Sequence, residues 1–224
     1  DVISVNGYSS NRITAAKTLE NQYIMETERL HPLPCYHYGE PWEYLKHYVD
    51  KYDYIGLGGV AGSQDTILMP WLDKCFSEYI CDKEGMPKVK VHGYGIASVN
   101  IILNFPFYST DSTTWHTIGR YGFIFVPDNI NGQWVYGKTP YKVAVSNKNP
   151  NRNKIGKHIS TLDYIEKKFV LRYINDKGYT EQEVSCDDIK RNALNLTYFA
   201  DLEKHLLTWP WAYKCKYFMK GLFC

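Results

Sequence analysis

Residues 32–59 read PLPCYHYGEPWEYLKHYVDKYDYIGLGG, and this stretch decides the fold. Pro32 and Pro34 bracket the entry to an apolar strand, Leu33–Tyr36, which ends at His37-Tyr38-Gly39-Glu40. Pro41 then opens a helix running to about Val49, because proline is favoured in a first helical turn. A second strand, Tyr52–Leu57, runs into the glycine pair Gly58-Gly59. Strand, helix and strand in so few residues predict two parallel strands with a helical crossover.

The same rhythm extends both ways. Before it lie a strand remnant at Val2–Val5, a turn at Asn6-Gly7, and a helix over Thr14–Arg29 with Ala15, Leu19, Tyr23 and Ile24 on one face. After it come a helix at roughly Leu68–Tyr79, a strand Val89–Val91 ending at His92-Gly93-Tyr94-Gly95, a helix at Ala97–Leu103, and a strand Phe107–Thr110 ending at Asp111. In parallel α/β folds the loops at the C-terminal strand ends gather on one face and carry the site. Those loops hold Asp1 or Asn6, His37 and Tyr38, Gly58 and Gly59, His92–Gly95, and Asp111. Each has a plain structural reading as well. His37 and His92 could be core histidines bonded to backbone groups, and the glycines could serve only a turn.

The run FPFYSTDSTTWHTIGRYG (Phe105–Gly122) delivers one carboxylate, Asp111, into a turn rich in hydroxyls, aromatics and glycine. Two readings are open for Asp111: the cap of a helix starting at Thr113, or a nucleophile at an active-site edge. Its place at the end of a series of polar strand ends favours the second.

After Arg120 the rhythm stops. Tyr121–Val126 and Trp134–Val145 read as β segments joined by the turn-rich 127–132, a hairpin-like insertion. No acidic residue occurs from Asn129 to Leu162, while Lys138, Lys142, Lys148, Arg152, Lys154, Lys157 and His158 do. The Asn/Pro/Lys-rich segment 147–157 reads as a mobile loop, either solvated surface or a phosphate contact. Helices over Thr161–Lys177 and Asp187–Leu207 close the chain, the second preceded by the capping-box spacing Thr180-x-x-Glu183. The aromatic tail from Trp209 reads as packing. The expected regions are 1–125, a partial barrel carrying the site; 126–160, a basic β-hairpin and loop; and 161–224, helical.

The totals set limits. A chain of 224 residues can bury a real core. Its net charge of +2 leaves any nucleic-acid signal to local clusters. Twenty tyrosines supply flat faces on which bases or sugars stack. The six cysteines show no CxxC and no Cys/His spacing of a zinc site, so no metal and no cofactor is expected. No apolar run approaches the roughly 20 residues of a membrane span, and no signal peptide is evident. A cytoplasmic protein with reduced thiols is expected, in which the sequon Asn195-Leu196-Thr197 carries no meaning. The sequence starts at Asp1 without an initiator Met, which reads as a processed or incomplete product.

YDYIGLGGVAG (Tyr52–Gly62), VHGYGIAS (Val91–Ser98) and FYSTDSTTWHTIGRYG (Phe107–Gly122), with the 32–59 stretch before them, resemble the tRNA-guanine transglycosylase superfamily. The likeness is to its phage and bacterial DpdA-like branch, which replaces guanine in DNA with a 7-deazaguanine, and it spans residues 1–120. The resemblance implies an α/β fold of (β/α)8 TIM-barrel type, of which about five strands are visible here. The earlier strands are then missing or supplied by a second chain. It implies Asp111 as nucleophile, Gly58 and Gly59 as backbone contacts to the base, and His37, Tyr38 or Asp1 as readers of the base edge. His92 and Arg120 are expected to support the sugar, phosphate or site, and Lys148, Arg152, Lys154 and Lys157 to hold phosphates. The implied partners are nucleic acid, DNA ahead of tRNA, and the free 7-deazaguanine base, in a cytoplasmic setting, the host's for a phage-encoded chain, without a membrane. The zinc ligands of the tRNA enzymes are absent, as in the zinc-free branch. Two other readings stay open: a different barrel enzyme acting on a glycosidic bond, and a non-catalytic nucleic-acid-binding or partner subunit.

Overall fold

A computed structural model describes residues 10–60 and 62–215. They form two compact units, one from the described residues up to Ser112 together with those from Leu207 on, the other from Thr113 to Leu206. The expected boundaries after 125 and 160 both fall inside the second unit.

The first unit is α/β. Strands β1 (Cys35–His37), β2 (Tyr54–Gly58), β3 (Lys90–Gly93) and β4 (Ser109–Thr110) make one parallel sheet in the order β1-β2-β3-β4. Helices α1 (Ser10–Thr27), α2 (Trp42–Lys51), α3 (Asp65–Lys74) and α4 (Val99–Asn104) precede or connect the strands. Helix α2 begins just after Pro41, as expected, and buries Leu45, Tyr48 and Val49, an i, i+3, i+4 stripe. The helix expected over Leu68–Tyr79 starts earlier, at Asp65, and changes character at Cys75. Pro70 inside it has no N–H to give the preceding turn, and a wide π turn over Cys75–Ile80 then drives Cys75, Phe76 and Ile80 fully into the core.

The strand expected at Phe107–Thr110 is only Ser109–Thr110, because the phenylalanines before it join the core instead. Phe105 stacks on Tyr213 with centroids 5.4 Å apart, and Phe107 meets Phe76 edge-on at 5.3 Å. The tail therefore packs, as expected. Tyr213 donates its N–H to the Gly85 carbonyl (2.8 Å), and its hydroxyl bonds the fully buried Asp73. The expected strand Val2–Val5, the Asn6-Gly7 turn and Asp1 lie outside the described residues.

The second unit holds strands β5 (Phe123–Val126), β6 (Asp128–Ile130), β7 (Gln133–Val135) and β8 (Tyr141–Ala144), and helices α5 (Thr114–Arg120), α6 (Tyr164–Asp176), α7 (Glu181–Cys186) and α8 (Asp188–Lys204). Strands β5 and β8 pair antiparallel, as the hairpin reading expects, but a second hairpin, β6–β7, is nested between them where a plain turn was expected. Its turn residues Asn131 and Gly132 both have positive φ, 51° and 89°, as a tight two-residue hairpin turn requires. Thr180 and Glu183 do form a capping box, but it heads the short α7, while Asp187 caps α8.

Asn195 is fully buried. Its side chain accepts from Phe125 N–H (2.9 Å) and donates to the Trp115 and Phe123 carbonyls. The sequon is thus internal scaffolding. The basic segment 147–157 is wound into turns: Thr161 Oγ1 donates to the Lys154 carbonyl (2.7 Å), Ser160 Oγ to that of Arg152, and the buried Asn149 to that of Tyr121 (2.8 Å).

Candidate active site

Side chains alternate across a strand, and in this sheet the two sets differ in kind. Tyr36, Ile55, Leu57 and Val91 point one way, all fully buried beneath Leu45, Leu72, Phe76 and Ile80. The opposite face carries Cys35 and His37 of β1, Tyr54, Gly56 and Gly58 of β2, Lys90 and His92 of β3, and Ser109 of β4. The register sets Cys35 beside Gly56, His37 beside Gly58, Gly56 beside His92, and His92 beside Ser109. Parallel strands ordinarily bury apolar residues on both faces. A face of histidines, hydroxyls and glycines at their C-terminal ends makes this edge the candidate site.

Asp111 follows β4 directly. Its Oδ1 accepts the Gly95 N–H (3.0 Å) and lies 3.3 Å from His92 Nε2. His92 Nδ1 meets Ser109 Oγ at 2.7 Å, and Ser109 Oγ meets Tyr54 Oη at 2.7 Å. One proton arrangement satisfies the chain: Tyr54 donates to Ser109, Ser109 to His92 Nδ1, and His92 Nε2–H to Asp111. That arrangement fixes the carboxylate through one oxygen. The side chain is 63% exposed, and among the described residues no hydrogen bond or ion pair engages Oδ2. The cap reading of Asp111 gives way, since the residue heading α5 is Thr113.

The floor between His37 and His92 is made by glycine. A Cβ on Gly56 would lie 2.5 Å from the Tyr94 ring, and one on Gly58 would lie 2.9 Å from Cys35 Sγ. Gly59 sits in the left-handed region at φ 72°, where any side chain is strained. His37 and Tyr38, both expected as readers of a ligand edge, part company. His37 takes the polar face. Tyr38 takes the other side and packs edge-on against Trp71 at 5.4 Å.

Behind His37 stands Glu40, whose side chain is only 5% exposed. Its Oε2 accepts His37 N–H (2.9 Å), and its Oε1 lies 3.1 Å from His37 Nδ1. Hydrogen bonds to Cys35 and Glu40 outweigh desolvation and push the His37 pKa up to about 10.

No family model, curated protein or solved structure matches the chain. The site therefore stands on its own geometry. The sheet brings together His37, Gly58, Gly59, His92 and Asp111, whereas Asp1 lies outside the described residues. Arg120, Lys148, Arg152, Lys154 and Lys157 belong to the second unit and are all exposed. Among the described residues, none of these five has an ion-pair partner, so the basic segment presents uncompensated positive charge. Among the described residues, no group of three or more His, Cys, Asp or Glu side chains is placed to hold a metal, and no helix is long and apolar enough to cross a membrane.

Sequence reasoning missed Cys35, Glu40, Tyr54, Gly56 and Ser109, whereas Gly95 fell within the expected site loop His92–Gly95. The signal was present for the strand residues: 35 and 37, 54, 56 and 58, and 90 and 92 keep polar or glycine residues at period two. For Glu40, which acts from a loop, no periodic signal exists.

Proposed function

We propose that this chain carries the site of a base-exchange transglycosylase, a pentosyltransferase that replaces guanine in nucleic acid, DNA ahead of tRNA, with a 7-deazaguanine. The observation that carries the reading is the polar, glycine-floored face of a parallel sheet ending at a carboxylate held through one oxygen. In this reading the four parallel strands are part of a (β/α)8 barrel.

Displacing a purine from C1′ passes through an oxocarbenium-like state that a carboxylate stabilises and can trap. Asp111 Oδ2 attacks C1′, the C1′–N9 bond breaks, and its electron pair leaves with guanine, which takes up a proton. The incoming base, having lost a proton, attacks C1′ from the vacated face and releases Asp111. Two inversions give retention. His92 and the Gly95 N–H keep Oδ1 oriented, so that little reorganisation is needed as the bond forms. Gly56, Gly58 and Gly59 let a flat base approach the backbone, and His37 reads its edge. A base inside a duplex has to be flipped out to reach such a site, and the basic segment 148–157 is suited to phosphates.

The test is incorporation of radiolabelled guanine or 7-deazaguanine into DNA and tRNA by native protein and by Asp111→Asn. Label should enter with the native protein and not with the variant. Incorporation that survives Asp111→Asn removes the assignment. Cleavage of a glycosidic bond by native protein without any incorporation points instead to another enzyme of that bond.

A further inference from the structure

The second unit carries an exposed cationic arc whose tip is apolar. Residues 149–157 run through successive turns, in which Arg152 N–H donates to the Asn149 carbonyl (3.0 Å), Lys154 N–H to that of Asn151 (2.9 Å) and Lys157 N–H to that of Lys154 (3.1 Å). Both ends are anchored inside: Asn149, His158 and Ile159 are buried, and the His158 ring is held by Ser160 Oγ (2.8 Å) and the Ser146 carbonyl (3.1 Å). Thr161 clasps the last turn, since its Oγ1 donates to the Lys154 carbonyl (2.7 Å) and its own carbonyl accepts Gly156 N–H (3.2 Å). The tip of that turn is Ile155, followed by Gly156 at φ 68°. At 91%, Ile155 is the most exposed large hydrophobic side chain among the described residues. Lys154 precedes it, Lys157 closes the same turn, and Arg152 lies one turn back; all three are exposed, and no ion pair neutralises them among the described residues. Single exposed apolar residues are common. This one stands on an ordered arc with positive charge on both sides.

We propose that this arc is a duplex-binding surface, in which Arg152, Lys154 and Lys157 engage phosphates and Ile155 enters the base stack as a wedge. Cations on an already ordered backbone lose little freedom when they meet phosphates, and each contact releases condensed counterions from the duplex. Isoleucine is among the apolar side chains that proteins insert between base steps to unstack them. The flanking lysines would hold the sugar-phosphate backbone while the tip enters. An anionic lipid surface also attracts lysines, but one isoleucine buries too little apolar area to anchor a protein there. Opening the stack is what withdrawal of a target base demands. That purpose rests on the base-exchange reading, whereas the duplex contact and the wedge do not.

The experiment uses the full chain carrying Asp111→Asn, so that binding is read without turnover, and a short DNA duplex with one 2-aminopurine, whose fluorescence rises when it unstacks. Anisotropy of a labelled duplex gives affinity across a salt series. The parent should bind and raise the fluorescence. Lys154→Gln with Lys157→Gln should weaken binding about tenfold and reduce the steepness of the log–log salt dependence by about 2. Ile155→Ser should bind within about threefold of the parent and lose the fluorescence rise, while Ile155→Leu keeps it. Because the position is exposed, both Ile155 variants should melt where the parent does. Absence of binding or of a fluorescence rise in the parent, a salt dependence unmoved by the lysine pair, or a rise that survives Ile155→Ser overturns the proposal. Binding to phosphatidylserine vesicles in place of DNA, lost in Ile155→Ser, overturns it too. Incorporation of labelled base into duplex DNA that is unchanged by Ile155→Ser in an otherwise native chain removes the wedge and leaves base exchange standing. A duplex that is bound and unstacked while no label ever enters it removes base exchange and leaves the wedge.

Discussion

The two faces of one four-stranded sheet are built from alternate residues of the same short strands, yet they do opposite work. Tyr36, Ile55, Leu57 and Val91 are fully buried among the residues of helices α2 and α3 and the π turn. Cys35, His37, Gly56, Gly58, His92 and Ser109 face the other way. The first face supplies the apolar burial that holds the unit together. The second gives up that gain to place hydrogen-bonding groups and bare backbone at the strand ends. Polar residues there would be a defect in an ordinary parallel sheet, and here Tyr54, Ser109 and His92 are linked in a chain to Asp111, while His37 is held by Glu40.

Leu57 and Gly58 are neighbours in sequence and lie on opposite faces, so they separate the two roles. Leu57→Ala opens a cavity in the apolar face and should cost about 2–5 kcal/mol, read as a lower denaturant midpoint. Protein that remains folded should keep base binding. Loss of binding at unchanged stability would break the distinction between the faces. Gly58→Ala is the converse. Its methyl would stand 2.9 Å from Cys35 Sγ, so a smaller cost of about 1–3 kcal/mol is expected, with loss of base binding. Adding Cys35→Ala should recover much of the stability in a double-mutant cycle. Additive losses would show that the sulfur contact is not the cause.

The smallest effect lies away from both faces. Glu26 accepts from Tyr52 Oη (2.6 Å), Gln22 and Lys51. These bonds, Tyr52 first, lower its pKa from 4.5 to about 2. Because the folded value is the lower one, this group stabilises the fold above pH 4.5, and the contribution is lost as pH falls through about 2. Thermal melts of Glu26→Gln should therefore fall less steeply with acid across that interval than those of the native protein, with the site unaffected. An identical acid limb in both proteins would refute this attribution.

Much of the first unit was legible because its signals are local. Pro41 marks a helix start, and Gly58-Gly59 and Asp111 each follow a strand. Their periodic apolar residues gave the parallel order and brought His37, Gly58, His92 and Asp111 to one edge. What could not be read depends on distant contacts. The shortening of the last strand follows from Phe105 and Phe107 packing with Phe76 and Tyr213, more than a hundred residues downstream in the case of Tyr213. The pairing of Glu40 with His37 needs a turn geometry that only the φ of Gly39 reveals. In the second unit, Asn195 resembled a modification sequon, and only its burial beside β5 shows it to be a backbone clamp.

The central claim is that Asp111 ends the polar face as a nucleophile. It is tested most directly by incubating the protein with guanine-containing DNA in the absence of an incoming base, then resolving it under denaturing conditions and mapping any adduct by peptide mass spectrometry. The account predicts a covalent protein–DNA species joined at Asp111 and absent from Asp111→Asn. An adduct that persists in Asp111→Asn, or that maps to another residue, would contradict it.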